Sequence, residues 1–177
     1  EWLGLKFLGD SSNKLWCRHP LAFLVEAADD ICYTIIDLED GTNLGWLSFE
    51  ESMALLGGVI GENFQPDKLN KYSSLAEKTG LLRALAINEL TRQVVEKFLE
   101  KEEEMLSADF DEALTEIIPA ADALKSIQSV SLEKIYRARQ VIEREVAGFE
   151  VLHGLLSAFV PGIIKTQKKE KLSWKEN

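Results

Sequence analysis

The sequence predicts an all-α protein, and three observations carry that prediction. Apolar residues recur at three- and four-residue spacing along every periodic stretch. No segment alternates polar and apolar residues as a half-buried strand does. Helix-starting chemistry also stands where the periods begin, at Pro20 and in the capping box Ser48-Phe-Glu-Glu51. At 177 residues, 46% hydrophobic and 28% charged, the chain can build one sizeable core and is too apolar for wholesale disorder. With no internal repeat and no linker rich in Pro, Gly or Ser, residues 1–177 read as a single all-α unit.

The elements follow in order. Residues 1–8 read as the middle or the end of a helix with no cap, exposing Trp2, Leu5 and Leu8, which makes the chain look cut from something longer. Pro20 suits the first turn of a helix running to about Asp40, with Gly41-Thr-Asn as its exit. The helix opened by Ser48 is expected to stop at Gly57-Gly58, and residues 58–70 read as a loop. A long helix follows from about Ser74 to Leu106, weakened near its start by Gly80, with Arg83, Ile87, Leu90, Val94 and Phe98 on an inward stripe. Residues 107–111 break it, and Asp109 or Asp111 is placed to cap a short piece before Pro119. Residues 120–128 read as one or two turns. The last helix starts at Ser131, turns Ile135, Ala138, Ile142, Val146, Phe149, Leu152, Leu156 and Phe159 inward, and ends before Pro161-Gly162.

The net charge of −10 argues against a general nucleic-acid surface, though it does not forbid a nucleic-acid partner. The exception is the Lys-rich end (Lys165, Lys168, Lys169, Lys171, Lys175), which reads as a frayed, soluble terminus. Two cysteines give no disulfide framework, and Cys32 on the apolar side of its helix reads as a small hydrophobe. No apolar run approaches the roughly 18 residues that span a bilayer, and no signal segment opens the chain. No membrane association and a cytoplasmic location are the expectations.

The segment between His19 and Gly41 carries the functional information. It holds six carboxylates within residues 26–40. At about 100° per residue, Glu26, Asp29, Tyr33, Asp37 and Asp40 share an arc of roughly 80°, with Asp30 at its edge. Leu24, Ala27, Ala28, Ile31, Ile35 and Leu38 lie mostly opposite. Like charges three and four apart destabilise a helix, so such a face meets either water or something positive, such as a divalent cation. Spacing alone leaves both open.

The wording of the segment goes further. Arg18-His19-Pro20-Leu21, then Glu26-Ala-Ala-Asp-Asp-Ile-Cys-Tyr33, then Asp37-Leu-Glu-Asp40 closely resembles the bacterial dGTP triphosphohydrolases, which are HD-domain phosphohydrolases. Looser echoes follow in Arg83-Ala-Leu-Ala-Ile87, Ile135-Tyr-Arg-Ala138, Glu145 and Ala147-Gly-Phe-Glu-Val-Leu152, so the resemblance spans roughly residues 16–163. It implies a helical HD-domain-like fold of which this chain is the C-terminal part. It further implies hydrolysis of a deoxynucleoside triphosphate to deoxynucleoside and tripolyphosphate, a divalent metal (Mg²⁺ or Mn²⁺, other transition metals being open), and a homo-oligomer. In such enzymes the late metal-binding Asp is followed by Tyr at i+4 and Asp at i+8. That pattern selects Asp29 as metal ligand over Asp30. Tyr33 would then pack against the deoxyribose and Asp37 would accept from the sugar 3′-hydroxyl.

Arg83 points inward on its stripe and needs an anion. Its partner is either a carboxylate of the acidic helix or, as the resemblance suggests, a substrate phosphate. His19 belongs to the turn entering the acidic helix, and His153 reads as a core histidine. Neither forms a His-Asp pair, so the family's remaining metal ligands and its catalytic acid and base find no counterpart here, and the chain alone is expected to be inactive. No P-loop, GxSxG or HExxH occurs. Two alternatives remain: a non-enzymatic helical regulatory or oligomerisation module, and an HD phosphohydrolase acting on another nucleotide.

Overall fold

The computed structural model describes residues 5–10 and 12–169. The protein is all-α. Its helices are α1 (Pro20–Asn43), α2 (Phe49–Ile60), α3 (Leu75–Glu100), α4 (Glu102–Ser107), α5 (Leu114–Ile117), α6 (Ala121–Ser131) and α7 (Arg139–Gln167). Among the described residues the β content is one isolated antiparallel bridge, Phe7 to Trp16. Where the sequence reads as one unit, the chain divides into two compact units between Ile135 and Tyr136.

In the first unit α1 is the centrepiece. The Nδ1 of His19 accepts from the Leu21 amide and caps the helix that Pro20 opens. α1 buries Phe23, Ala27, Ile31, Ile35 and Leu38, and it packs chiefly along α3, which buries Leu82, Ala86, Leu90 and Val94. α2 contributes Leu56 and Val59, and α6 contributes Leu124 and Ile127. Polar ties join its elements as well. Thr42 Oγ1 shares a 2.5 Å hydrogen bond with Ser52 Oγ inside the α1–α2 contact. Glu89 accepts from Arg92 (2.6 Å) and from Gln93 Nε2 (2.7 Å), while the buried Gln93 accepts from the Ala120 amide at the start of α6 (2.9 Å).

Tertiary packing moves several predicted boundaries. α1 passes straight through Gly41, because a Cβ there would lie 2.6 Å from Ile135 Cδ1: the glycine is a packing requirement, not an exit. α2 likewise runs through Gly57, against which the Phe64 ring lies, and ends at Gly61 with φ 66°. The predicted loop beyond holds two 3₁₀ turns, Gly61–Asn63 and Pro66–Lys71. α3 starts on a full capping box of Ser74 and Glu77, as expected, but breaks at Lys101; the bend lets Met105 of α4 enter the core. Neither Asp109 nor Asp111 caps α5, since Asp109 accepts from the Ser107 hydroxyl and Asp111 binds Arg18. Residues 5–8 are not helical: the segment pairs back on itself, with the Leu8 amide donating to the Leu15 carbonyl (2.8 Å). Residues 1–4 lie outside the described residues.

The second unit is dominated by α7. A π-helical turn, Leu132–Tyr136, precedes it, so Ser131 closes α6 and does not open the last helix. α7 runs through Pro161, which removes one ladder bond; just beyond, the Thr166 hydroxyl donates to the Gly162 carbonyl (2.8 Å). Of its predicted inward stripe Ile135 is buried, but from Ile142 onward the stripe is exposed. Phe149 is 82% exposed, and Ile142, Val146, Leu152, Leu156 and Phe159 are exposed with it. His153 is exposed as well, not a core histidine. Between Glu145 and Lys165 the only charged residue is Glu150. By length and composition alone α7 is therefore long and apolar enough to cross a membrane, which a search for an unbroken apolar run misses. The Lys-rich end is helical to Gln167, and Lys171 and Lys175 lie outside the described residues.

Two outcomes follow. Gly41→Ala forces a methyl into Ile135 and Leu47 and is expected to destabilise the first unit by about 1–3 kcal/mol, read as a lower urea midpoint. The Glu89 carboxyl is held below its ordinary 4.5, first by the Arg92 guanidinium and then by Gln93. A depressed carboxylate contributes stability above its unfolded value and loses it as pH falls through its folded one. Glu89→Gln should therefore flatten the fall in stability below about pH 4.5 relative to the parent, measured by urea titration across that range.

Candidate functional site

The outer face of α1 is built by what its inner face buries. With Ala27, Ile31, Ile35 and Leu38 in the core, the helix turn sends Glu26, Asp29, Tyr33 and Asp40 to the surface, and Asp37 to a half-buried position. Tyr33 is 62% exposed. Asp29, Tyr33 and Asp37 stand four residues apart, about 6 Å per step along the axis. The carboxylates on this helix do not share one environment. Asp30 accepts from the Thr115 hydroxyl of α5 at 2.8 Å. Glu26 is paired with Arg18. Asp29 is exposed and makes no hydrogen bond or ion pair among the described residues.

A cleft of about 720 Å³ opens beside Asp29, lined by Arg18, Ala22, Val25, Glu26, Ala28 and Cys32 as well. Cys32 is exposed here, not a core hydrophobe: its predicted apolar side meets this cleft. Arg18 is the residue that sequence reasoning passed over. Its guanidinium lies 4.3 Å from the Phe23 ring centroid, binds Glu26, and reaches Asp111 at 2.9 Å. It thus ties the entry of α1 to the loop before α5 and removes part of the charge crowding. The available signal was a cation set immediately before the cap of an acidic helix.

Arg83 meets a carboxylate of α1. Its Nη1 lies 2.6 Å from Glu39 Oε2, and the Glu39 side chain is only 9% exposed against 44% for Arg83. Arg83 is thus not pointed into the core: it reaches from the surface toward a buried acid. Glu39 follows Ile35 by four residues, so it sits on the apolar stripe, and a charge there announces a partner. The ion pair leaves the other half of the guanidinium available to a second anion.

Asp29 by itself does not fit a resident metal. Among the described residues no group of three or more His, Cys, Asp or Glu side chains converges to hold an ion. One exposed carboxylate does not make a metal centre.

Comparison with known proteins gives this face a context. Over 157 residues the chain is 40% identical to a deoxyguanosinetriphosphate triphosphohydrolase-like protein of Synechocystis sp., covering 88% of this chain and 34% of that one. A protein of the same description from Pseudomonas aeruginosa is 35% identical over 162 residues, 89% of this chain and 36% of its own length. Over most of its length the chain is similar to part of the deoxyguanosinetriphosphate triphosphohydrolases. A protein from Yersinia enterocolitica named as the triphosphohydrolase itself is 28% identical over 160 residues, 81% of this chain and 32% of its length. The chain spans about a third of the length of these triphosphohydrolase relatives. No family profile matches it.

The Arg83–Glu39 geometry has a thermodynamic signature. Arg83→Ala leaves a nearly buried carboxylate unpaired and is expected to cost about 1–3 kcal/mol. Glu39→Gln leaves a half-exposed guanidinium that water can serve, and should cost less. Urea denaturation of both variants checks the order; equal stability of parent and Arg83→Ala would make the ion pair incidental.

Proposed function

We propose that this chain is part of a metal-dependent deoxynucleoside triphosphate triphosphohydrolase with an HD-domain-like helical fold, of which it forms the C-terminal portion. The reaction is dNTP plus water giving deoxynucleoside and tripolyphosphate. A water oxygen bonds to the α-phosphorus, the bond from that phosphorus to the 5′ oxygen breaks, and the 5′ oxygen leaves with a proton as the nucleoside hydroxyl. The observation that carries this reading is the outer face of α1, where Asp29, Tyr33 and Asp37 repeat at four-residue spacing and Asp29 lines an open cleft. The similarity to the triphosphohydrolases supports it.

In this reading Asp29 is one ligand of a Mg²⁺ or Mn²⁺ ion whose other ligands come from polypeptide outside these 177 residues. The bond between Asp30 and Thr115 supports that choice, since it commits Asp30 to the fold. Tyr33 offers an aromatic face for the deoxyribose, crowding the place of a 2′-hydroxyl, and Asp37 accepts from the 3′-hydroxyl. Arg83 contributes a phosphate contact through the part of its guanidinium that Glu39 does not use. No catalytic acid or base is assigned on this chain. The working enzyme is read as a cytoplasmic homo-oligomer and the isolated chain as inactive. A second reading, a non-enzymatic oligomerisation module, draws on the exposed apolar surface of α7.

The test uses the full-length protein, each dNTP in turn and in mixtures, with Mg²⁺ or Mn²⁺, and products resolved so that tripolyphosphate is distinguished from single phosphate. Tripolyphosphate with free deoxynucleoside is the expected result; no release from any dNTP would leave the module reading standing. Asp29→Ala should abolish turnover with the fold intact, whereas Asp30→Ala should retain activity and lose some stability. The reverse order would show the register on α1 to be wrong. Tyr33→Ala should lower the preference for deoxy- over ribonucleotides by about tenfold, the size of a lost packing contact.

A further inference from the structure

The cleft beside Asp29 has Arg18 in its wall, the cation of a lining that also holds Glu26 and Asp29 and is otherwise small or apolar. The fold holds its guanidinium in place. Phe23 is buried against Phe110, with 5.3 Å between ring centroids, and its ring lies 4.3 Å from the guanidinium as a rigid platform. Nη2 donates to the Asp111 backbone carbonyl, Nε to the Asp111 carboxylate at 3.0 Å, and Nη1 to Glu26. Resting on the reaction inferred above, we propose that Arg18 binds the polyphosphate chain of the substrate, exchanging its carboxylate partners for phosphate oxygens.

Three features point to that ligand. The first is what can leave. The Asp111 side chain is 90% exposed, and an ion pair so open to water is worth little, so it yields to a more highly charged anion at small cost. The Phe23 ring and the Asp111 carbonyl stay, and they keep the plane of the guanidinium fixed. Arg18 itself remains reachable, with 31% of its side chain exposed. The second feature is shape. A guanidinium presents paired N–H donors that match two oxygens of one phosphate, and it is more weakly hydrated than an ammonium. The third is company. Asp29, the proposed metal ligand, lines the same cleft. A triphosphate held by a divalent ion at Asp29 keeps negative charge beyond what that ion neutralises. Arg18 is the cation that this cleft offers to the remainder.

The test is inhibition of the full-length protein's dNTP turnover by inorganic tripolyphosphate at fixed free Mg²⁺. Arg18→Ala is expected to raise the inhibition constant by about tenfold or more, the scale of a lost charge-assisted hydrogen bond. Arg18→Lys keeps the charge, loses the fork and should raise it less. Arg18→Gln replaces the alanine variant throughout if circular dichroism shows that variant unfolded. The decisive readout is Asp111→Asn. Releasing Arg18 should lower the inhibition constant by about two- to fivefold, and this gain should vanish in the Arg18→Ala background. A purely structural Arg18 predicts the opposite sign, because Asp111→Asn then loosens the same tie and weakens binding. An unchanged inhibition constant without the arginine, in an active enzyme, would overturn the phosphate contact and leave the reaction standing. Tightening by Asp111→Asn that survives Arg18→Ala would be general charge repulsion and would overturn the exchange of partners. No turnover of any dNTP by the parent would remove the reaction, and this role with it.

Discussion

Burial of one stripe of α1 holds the first unit together, and the candidate site is its by-product. Phe23, Ile31, Ile35 and Leu38 are almost wholly removed from water. Each is worth roughly 1.5–3 kcal/mol of transfer free energy, whereas a like-charge pair at helical spacing costs roughly 0.2–0.5 kcal/mol. Burial therefore wins by a wide margin, and the helix can carry a row of carboxylates on its outer side that no isolated helix would tolerate well. The direction of Asp29, Tyr33 and Asp37 is thus dictated by residues that never touch a ligand. What remains of the crowding is dealt with pair by pair: Arg18 with Glu26, Arg83 with Glu39, Thr115 with Asp30. Asp29 is left exposed without such a partner among the described residues.

That division of labour explains which parts of the fold could be read in advance. Amphipathic period is a statement about burial, and α1 and α3 bury the sides their periods indicate. Punctuation proved less legible because glycine and proline carry two meanings. Gly41 and Gly57 look like helix ends, yet they sit where Ile135 and Phe64 approach the backbone too closely for a Cβ. Only the tertiary partner separates those meanings, and neither partner is a sequence neighbour of its glycine. The Asp109 and Asp111 caps failed for a related reason: both side chains had closer hydrogen-bond partners, one from Ser107 and one from Arg18 across the fold.

The site was legible in its face and less so in its surroundings. Spacing put the carboxylates together; the structure adds that they differ, Asp30 accepting from Thr115 while Asp29 is exposed. Arg83 was found, but its direction was not. Arg83 stands at the exposed edge of its stripe, and its long stem reaches from the surface to meet the nearly buried Glu39. Glu39 itself was readable, since a carboxylate four residues beyond Ile35 on a buried stripe has to be paired.

α7 marks the limit of period as evidence. Its apolar spacing is as regular as that of α3 and predicts an inward face for both, yet α3 buries Leu82, Leu90 and Val94 while Phe149 and Phe159 of α7 are exposed. A regular seam says that a face is built to be covered; it does not say that the chain covers it. α3 has α1 and α2 as neighbours within its own unit. An exposed seam of this regularity has to find its cover in another molecule or in more of the same polypeptide.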